Sequence, residues 1–381
     1  MACAALVVSA TAVVGVKAYN YYSMPELMRA NLEALSQGEI IGSLSCFSYS
    51  SNNIIRCQNY VKPEFTDIRP TKLLRLNDEF TLRMTGHFLI YDSVIIFPAI
   101  SVDNNNVFQL LSTNDGHFIK GFANIGRSAE ELSDYMRLSL DNKEGVLYAL
   151  DNTNKYTITD LEKVIKNNSL AVVDKGHFKG NFPAARAIDY RNGRLLQMGG
   201  YPEDRIFMIN ENGDTILRYN ILPPVSKIID QDKELHKRYF LYNSHYAVRP
   251  DGKKIANVTT NGMLLEIFDI DNKTISHSCV KYMYEPRLER SNIGKPDCIF
   301  GASHICTTND YIYILYYDAP ISEVAKSKAK IGVFDWEGNE QSCYELNDMV
   351  ATFAITPNGK QIYCWAYDTN SEEYLGYFDL K

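Results

Sequence analysis

The sequence lacks the features that would place it in several familiar protein classes. It has no excess of basic residues, since 39 Lys and Arg stand against 46 Asp and Glu, for a formal net charge of -7. Without a basic stripe, the chain has no electrostatic footprint for nucleic acid. Its longest apolar run, Ala2–Val16, is shorter than the roughly 18 residues that a membrane span requires. We therefore expect no nucleic-acid partner and no stable membrane span in the mature protein.

Motifs of catalytic and cofactor chemistry are also missing. The sequence has no G-x-S-x-G nucleophile elbow, no phosphate-binding loop and no dinucleotide-binding glycine motif. It has no C-x-x-C pair, and its seven histidines are scattered without the spacing of metal ligands. We therefore expect no cofactor and no metal site, although a cluster gathered from distant segments stays open.

Cysteine usage leaves two alternatives. Of the eight cysteines, Cys46 and Cys57 bracket the turn-like segment Ser51-Asn52-Asn53 symmetrically. An antiparallel hairpin would place their side chains opposite one another, which predicts a disulfide. The alternative is that both remain free thiols.

The N-terminal 40 residues have the pattern of an export leader. Ala2–Val16 has the length of a signal-peptide apolar region, although a buried core segment is the alternative. Ser23 and Glu26 form a capping box that can begin a helix, and Gly38 can end it. A leader helix is therefore expected between Ser23 and Gly38. This pattern predicts an extracytoplasmic protein, in the periplasm or at the cell surface, with residues 41–381 as the folded domain.

Aromatic content and an internal repeat indicate the fold. The 26 Tyr and 17 Phe suit the half-buried surfaces of strands. Two segments, AVRPDGKKIANV from Ala247 and AITPNGKQIYCW from Ala354, share a strand–turn–strand pattern. Weaker copies begin at Phe88, Leu138, Ala187 and Ile305, and a third apolar strand follows each of the six copies. The spacing of about 50 residues is that of a propeller blade.

The sequence therefore predicts an all-β, six-bladed β-propeller. The blades are expected to start near residues 84, 136, 185, 245, 302 and 352. Short helices are expected as excursions, at Val225–Arg238 and at Ile321–Lys330, the latter opened by Ser322. Because the last copy has only three strands before Lys381, we expect its outer strand to come from within residues 42–80. Nothing in the pattern indicates more than a monomer.

The innermost strands of a propeller converge on a central channel, where ligands bind. Aligning the copies places a cation, imidazoles and aromatic rings near one mouth of that channel: Arg186, His245, Tyr246, His304 and Phe353. This lining suits a small molecule, a glycan or a peptide. The alternative is that these side chains fill the channel and bond to backbone or water.

Two stretches resemble a known family. ANLEALSQGE (Ala30–Glu39) behind an apolar leader resembles the N-V-E-A-L-A signature of exported proteins of bacteroidal gut bacteria, departing from it at Leu32 and Ser36. The downstream repeats are similar to the TolB-like six-bladed propellers that accompany this leader. The resemblance implies an extracytoplasmic binding or scaffold propeller with no catalytic residues to transfer. The alternatives are a hydrolase or lyase at the channel mouth, and a partner of exported peptides that carry the same leader.

Overall fold

The fold is taken from a computed structural model, which describes residues 59–77, 82–84, 87–101, 106–124, 126, 131–132, 136–151, 155–166, 172–177, 187–199, 205–210, 212–219, 221–223, 241–271, 274–287 and 295–380. The chain divides into two compact units, residues 1–59 with 221–232, and residues 60–220 with 233–381. Of the first unit, only residues 59 and 221–223 are described, and they form no helix or strand. The second unit holds every described strand.

Two N-terminal strands precede the blades, β1 (Ile68–Thr71) and β2 (Leu74–Asn77). Blade 1 consists of β3 (Leu82–Met84), β4 (Leu89–Tyr91), β5 (Val94–Ser101), β6 (Asn106–Ser112) and β7 (Phe118–Asn124). Blade 2 consists of β8 (Met136–Asp141), β9 (Val146–Asp151), β10 (Lys155–Asp160) and β11 (Val172–His177), with helix α1 (Leu161–Lys166) between the last two. Blade 3 consists of β12 (Ala187–Arg191), β13 (Arg194–Met198), β14 (Ile206–Ile209) and β15 (Thr215–Tyr219).

The remaining three blades follow the same antiparallel order. Blade 4 consists of β16 (Ser244–Val248), β17 (Lys254–Thr259), β18 (Met263–Ile270) and β19 (Ile275–Tyr284). Blade 5 consists of β20 (Ile299–Thr307), β21 (Tyr311–Pro320), β22 (Lys330–Asp335) and β23 (Glu340–Leu346). Blade 6 consists of β24 (Met349–Ile355), β25 (Gln361–Tyr367) and β26 (Glu373–Asp379). The all-β, six-bladed architecture expected from the repeat is confirmed.

The helical segments differ from the expectation in one place. The segment after β21 is a 3-10 helix over Ile321–Lys326, and Lys330 already begins β22. Pro320 stands at its N-cap, and Ser322 instead donates its hydroxyl to the carbonyl of Pro296. The expected leader helix and the helix over Val225–Arg238 lie outside the described residues. Neither short helix in the described part of the chain is long and apolar enough to cross a bilayer.

The repeated hairpins form because their turns contain glycine at the position where the backbone takes a positive φ angle. Gly252 and Gly359 close the turns of blades 4 and 6 with φ of 75° and 66°, a region that a Cβ disfavours. The amide of Gly252 donates to the carbonyl of Arg249 at 2.7 Å, and that of Gly359 donates to Thr356 at 2.8 Å. Each turn returns the chain directly beside the innermost strand. The innermost hairpin of each of these blades is thus encoded locally.

Neighbouring blades bury their faces against one another. Between blades 5 and 6, the fully buried side chains of Leu315 and Ile331 lie in one cluster with Phe353 and Ile362. Similar clusters join blades 4 and 5, blades 6 and 1, blades 1 and 2, and blades 2 and 3. A four-stranded sheet with two apolar faces is stable only when both faces are covered. The ring supplies this cover for each blade from its two neighbours.

Residues 60–77, here called the N-terminal strap, run along the outer strands of three blades. The amide of Val61 donates to the carbonyl of Tyr282 in blade 4 at 2.9 Å. Strand β1 then pairs in parallel with β23 of blade 5, and β2 pairs antiparallel with β26 of blade 6. Between these strands, Leu73 is buried in the core of blades 5 and 6. Blade 6 thus has β2 as its fourth, outermost strand.

A buried polar cluster joins blades 3 and 4. Arg205 donates two hydrogen bonds to the Glu266 carboxylate, at 2.9 and 2.5 Å, and Asn257 donates a third at 2.6 Å. His277 Nε2 lies 2.6 Å from the same carboxylate, and its Nδ1 lies 2.5 Å from the hydroxyl of Tyr219. The side chains of Arg205 and Glu266 are 5% and 0% exposed, so this ion pair is shielded from water. The carboxylate is held by four hydrogen bonds from three residues, and it cannot change them without breaking the cluster.

The cluster predicts a pH-dependent stability. Burial alone would raise the pKa of Glu266, but the charge and hydrogen bonds of Arg205, together with His277, lower it to about 2, below its ordinary value of 4.5. The ionised carboxylate therefore stabilises the fold above pH 4.5, and this contribution is lost as the pH falls from 4.5 towards 2. Glu266→Gln removes the charge, so the difference in unfolding free energy between wild type and variant should shrink over that range. Urea unfolding of both proteins between pH 7 and pH 3 measures it, and a pH-independent difference would contradict the assignment.

Candidate functional site

A cavity of about 790 Å³ lies on the propeller axis and is here called the axial cavity. Its walls come from the innermost strands of all six blades: β4, β8, β12, β16, β20 and β24. The cavity extends along these strands from His87, His245 and His304 to Asp141 at the end of β8 and Asp251 in the turn after β16. Convergence of six strands on one axis is what brings side chains from distant parts of the sequence together.

Three histidines cluster in this cavity. His87 directly precedes blade 1's first hairpin, His245 lies on β16 and His304 lies on β20. One ring nitrogen from each residue lies within 4.8 Å of those of the other two. The rings of His87 and His304 are stacked, with centroids 3.9 Å apart, and His245 meets both edge-on at 6.0 and 6.3 Å. The arrangement is a compact imidazole cluster drawn from three blades.

Two neighbouring side chains orient these rings. Nδ1 of His87 lies 2.8 Å from the hydroxyl of Thr352 on β24. Nε2 of His304 lies 3.5 Å from the sulfur of Cys306, whose thiol in turn donates to the carbonyl of Phe353. Because the Cys306 proton goes to that carbonyl, its sulfur is left to accept from His304 Nε2–H. Nδ1 of His304 then carries a lone pair, and this buried atom has no hydrogen-bond partner among the described residues.

Two of the three imidazoles, those of His87 and His304, are uncharged at neutral pH. Burial lowers the pKa of His87 to about 4, because protein surrounds the ring on most sides even though water reaches it from the cavity. Burial also lowers the pKa of His304, and repulsion from His87 and His245 adds to the effect. Burial raises the pKa of the Cys306 thiol. The site therefore offers neutral imidazole nitrogens beside a protonated thiol.

The other end of the axial cavity is charged. Arg191 binds the Asp189 carboxylate with two hydrogen bonds, at 2.7 and 3.1 Å, and also donates to the carbonyl of Pro250 in blade 4. Burial raises the pKa of Asp189, which the contacts with Arg191 only partly offset. Asp141, the last residue of β8, and Lys143, in the turn that follows, line the same part of the cavity. Charges of both signs thus face the cavity away from the histidines.

The residues predicted for the channel mouth have different positions in the structure. His245, Tyr246 and His304 all line the axial cavity. Phe353 does not, because it is fully buried in the core between blades 5 and 6, where its ring touches the edge of His304 at 5.4 Å. Arg186 lies outside the described residues, as do Cys46 and Cys57. The five cysteines in the described part of the chain are free thiols.

His87 is the residue that sequence reasoning missed. It stands directly before the first repeat copy at Phe88, as His304 stands directly before Ile305, and His245 stands two residues before Ala247. That shared position is the signal that could have found it. No two histidines stand at the short sequence spacing of a local metal-binding motif, and this excludes only such a motif. A cluster whose members come from three blades does not require short spacing.

Comparisons with known proteins agree with this architecture. The model of the TolB-like 6-blade propeller-like family matches residues 64–358. A protein from Bacteroides fragilis NCTC 9343, assigned as exported, has a similar fold at 11% identity and a TM-score of 0.50, over 83% of this chain and 99% of that one. A DUF4221 family member from Bacteroides vulgatus ATCC 8482 is similar at 10% identity and a TM-score of 0.56, over 84% of this chain and 98% of that one.

These likenesses establish the fold. A search of curated proteins found no relative of this sequence. The family match spans all six blades, from the strap to the turn of the last innermost hairpin. The chain belongs to the TolB-like six-bladed propeller family.

Proposed function

We propose that the protein is an extracytoplasmic propeller that binds a small polar ligand in the axial cavity. The observation that carries this proposal is a cavity of about 790 Å³ walled by all six blades and lined by a cluster of three histidines. Small-molecule sites in proteins range from roughly 300 to 1,000 Å³ and combine apolar walls with a few convergent polar groups. The axial cavity has this size and composition.

Two observations support a location outside the cytoplasm. The sequence begins with an apolar stretch of signal-peptide length, followed by ANLEALSQGE. A similar fold occurs in a Bacteroides fragilis protein that is assigned as exported.

The lining favours a sugar or a short peptide as ligand. Imidazoles at one end and paired charges at the other can exchange hydrogen bonds with hydroxyl, amide and carboxylate groups. A purely apolar ligand would leave these groups without water and without partners, at a cost of about 1–3 kcal/mol for each. The axial cavity therefore selects for a polar ligand.

A blocking substitution tests the location of the ligand. Ala187, at the start of β12, lines the cavity, so Ala187→Phe fills free space there. Melting curves should be recorded with chitobiose, maltose, citrate, trialanine and a synthetic ANLEALSQGE peptide. A ligand at 100 times its Kd stabilises by about 2.7 kcal/mol. For a domain of this size we expect a melting-temperature rise of roughly 4 °C for at least one probe, and we expect Ala187→Phe to abolish it.

Val173→Phe is the matched control for this test. Val173 is 62% exposed on β11, at the outer edge of blade 2, so the added ring cannot enter the axial cavity. We expect this variant to respond to the active probe as the wild type does. An undiminished response in Ala187→Phe would place the ligand elsewhere.

The histidine cluster favours a hydrolase or lyase as the second candidate function. Neutral imidazoles are the commonest general bases in enzymes, and they are most effective when held beside a bound substrate. Turnover of p-nitrophenyl esters or of a uronide polymer, abolished by His245→Phe, would identify an enzyme. Binding without turnover of either probe class would leave the binding function.

A further inference from the structure

We infer that His87, His245 and His304 form a binding site for one divalent first-row transition-metal ion, and that Zn²⁺ is the ion it fits best. The three residues lie on different blades, and one ring nitrogen of each lies within 4.8 Å of those of the other two. Three imidazoles with a further position left open are a recurrent arrangement for zinc.

The distances between the nitrogens are close to those of a metal site. Zinc–nitrogen bonds of roughly 2.0–2.1 Å at tetrahedral angles place ligand nitrogens about 3.4 Å apart. The three nitrogens of the cluster lie within 4.8 Å of one another. Because the rings of His87 and His304 are stacked, binding of one ion requires the His87 ring to rotate out of the stack, and it has room to do so because it borders the open cavity.

The hydrogen bonds around the cluster leave lone pairs where a metal needs them. Metal-binding histidines usually engage their second nitrogen with a neighbouring group, which fixes the ring. Thr352 does this for His87, and Cys306 does it for His304. Nδ1 of His304 remains buried and without a hydrogen-bond partner in the described part of the chain. A metal ion would give this atom the partner that it lacks.

The chemistry of the cluster also selects among metals. It contains imidazole nitrogens and no carboxylate oxygen. Ca²⁺ and Mg²⁺ prefer oxygen ligands, whereas imidazole suits Zn²⁺, Cu²⁺ and Ni²⁺. We therefore expect the hard cations not to compete for this site.

A metal here would also define the ligand class, an extension that rests on the proposed function. The three histidines line the axial cavity, so the remaining coordination position faces the space where the ligand binds. A ligand with a carboxylate or another anionic oxygen can occupy it. Metal affinity is measured without any organic ligand, so either proposal can fail while the other stands.

The experiment uses the full chain, depleted of metal with a chelator and then dialysed. Titration with ZnCl₂ against a competing chelating dye, with metal content measured by mass spectrometry, should give one Zn²⁺ per chain at micromolar or tighter Kd. Co²⁺ should give the visible absorption of a tetrahedral nitrogen site, without the near-ultraviolet band of a cobalt–thiolate bond.

Three variants locate the ion. His87→Phe and His245→Phe keep a ring that can pack in the cluster but remove the ligand nitrogen, and each should weaken Zn²⁺ binding by more than roughly 100-fold. Thr352→Val removes only the partner of His87 and should weaken binding by roughly 10-fold. His177→Phe, on the exposed edge strand β11, should change nothing.

Two results would overturn the inference. One is a Zn²⁺ Kd weaker than about a millimolar for the wild type. The other is tight binding that survives the His87→Phe/His245→Phe double substitution and disappears only when cysteines are alkylated, which would place the metal on the thiols. Unchanged melting curves of the variants without metal will show that the fold is intact.

Discussion

Deleting residues 60–80 is expected to abolish the cooperative melting transition of the propeller and to make the protein aggregate. The N-terminal strap bonds to the outer strands of blades 4, 5 and 6, and its strand β2 is the fourth strand of blade 6. Without it, the backbone groups of β26 and β23 would form unpaired sheet edges, which template association with other chains. Differential scanning calorimetry and light scattering of the purified protein measure both effects. A truncated protein that kept its full melting transition would contradict this role of the strap.

Two adjacent leucines provide a sharper form of the same test. Leu73 is 3% exposed, in a cluster with residues of blades 5 and 6, whereas Leu74 is 51% exposed. Leu73→Ala leaves a cavity between the blades, so it should lower the unfolding free energy by about 2–5 kcal/mol. Leu74→Ala should lower it by less than about 0.5 kcal/mol. Urea unfolding of the two variants decides the matter, and equal effects would show that the strap does not anchor the ring through Leu73.

The innermost hairpins were predictable because their information is local. Pro-Asp-Gly and Pro-Asn-Gly specify tight turns, and apolar runs on both sides specify buried strands, so sequence alone located the hairpins of blades 4 and 6. Repetition of the pattern at blade spacing then indicated the ring. For Ile321–Lys330 the sequence predicted one helix, whereas the structure has a 3-10 helix followed by the start of a strand. The alternation of polar and apolar residues in this segment does not distinguish the two.

The site was only partly predictable, because its residues come from different blades and lie close together only when the propeller closes. The position of His245 and His304 in innermost strands indicated the cavity, but their contact with His87 depends on how blades 1, 4 and 5 converge. Phe353 was expected at the channel mouth, but its ring packs between blades 5 and 6, whereas Ala354 and Ile355 of the same strand line the cavity. Aligning the sequence copies shows roughly where along a strand a residue lies. It does not determine which face of the sheet the side chain occupies.

The buried ion pair between blades 3 and 4 is a second feature that no local pattern reveals, and breaking it should have a large effect. Glu266→Ala leaves Arg205 charged in a place where its side chain is 5% exposed, and it removes the acceptor used by Asn257 and His277. Removing one member of a buried pair typically costs about 3–5 kcal/mol, because the remaining charge is left without solvent or partner. For a domain of this size, we expect the melting temperature to fall by about 5–7 °C.

An exposed pair on the same molecule supplies the control. Glu162 and Lys166 of helix α1 form an i,i+4 pair whose side chains are 62% and 72% exposed, and Glu162→Ala should change the unfolding free energy by less than about 0.5 kcal/mol. Arg205→Met combined with Glu266→Leu should recover much of the lost stability, because replacing both charges removes the uncompensated one. If the double variant were instead as unstable as the sum of its single substitutions, the cost would come from lost packing rather than from the stranded guanidinium. The contact between blades 3 and 4 would then resemble the apolar contacts elsewhere in the ring, and the polar cluster would contribute little to closing it.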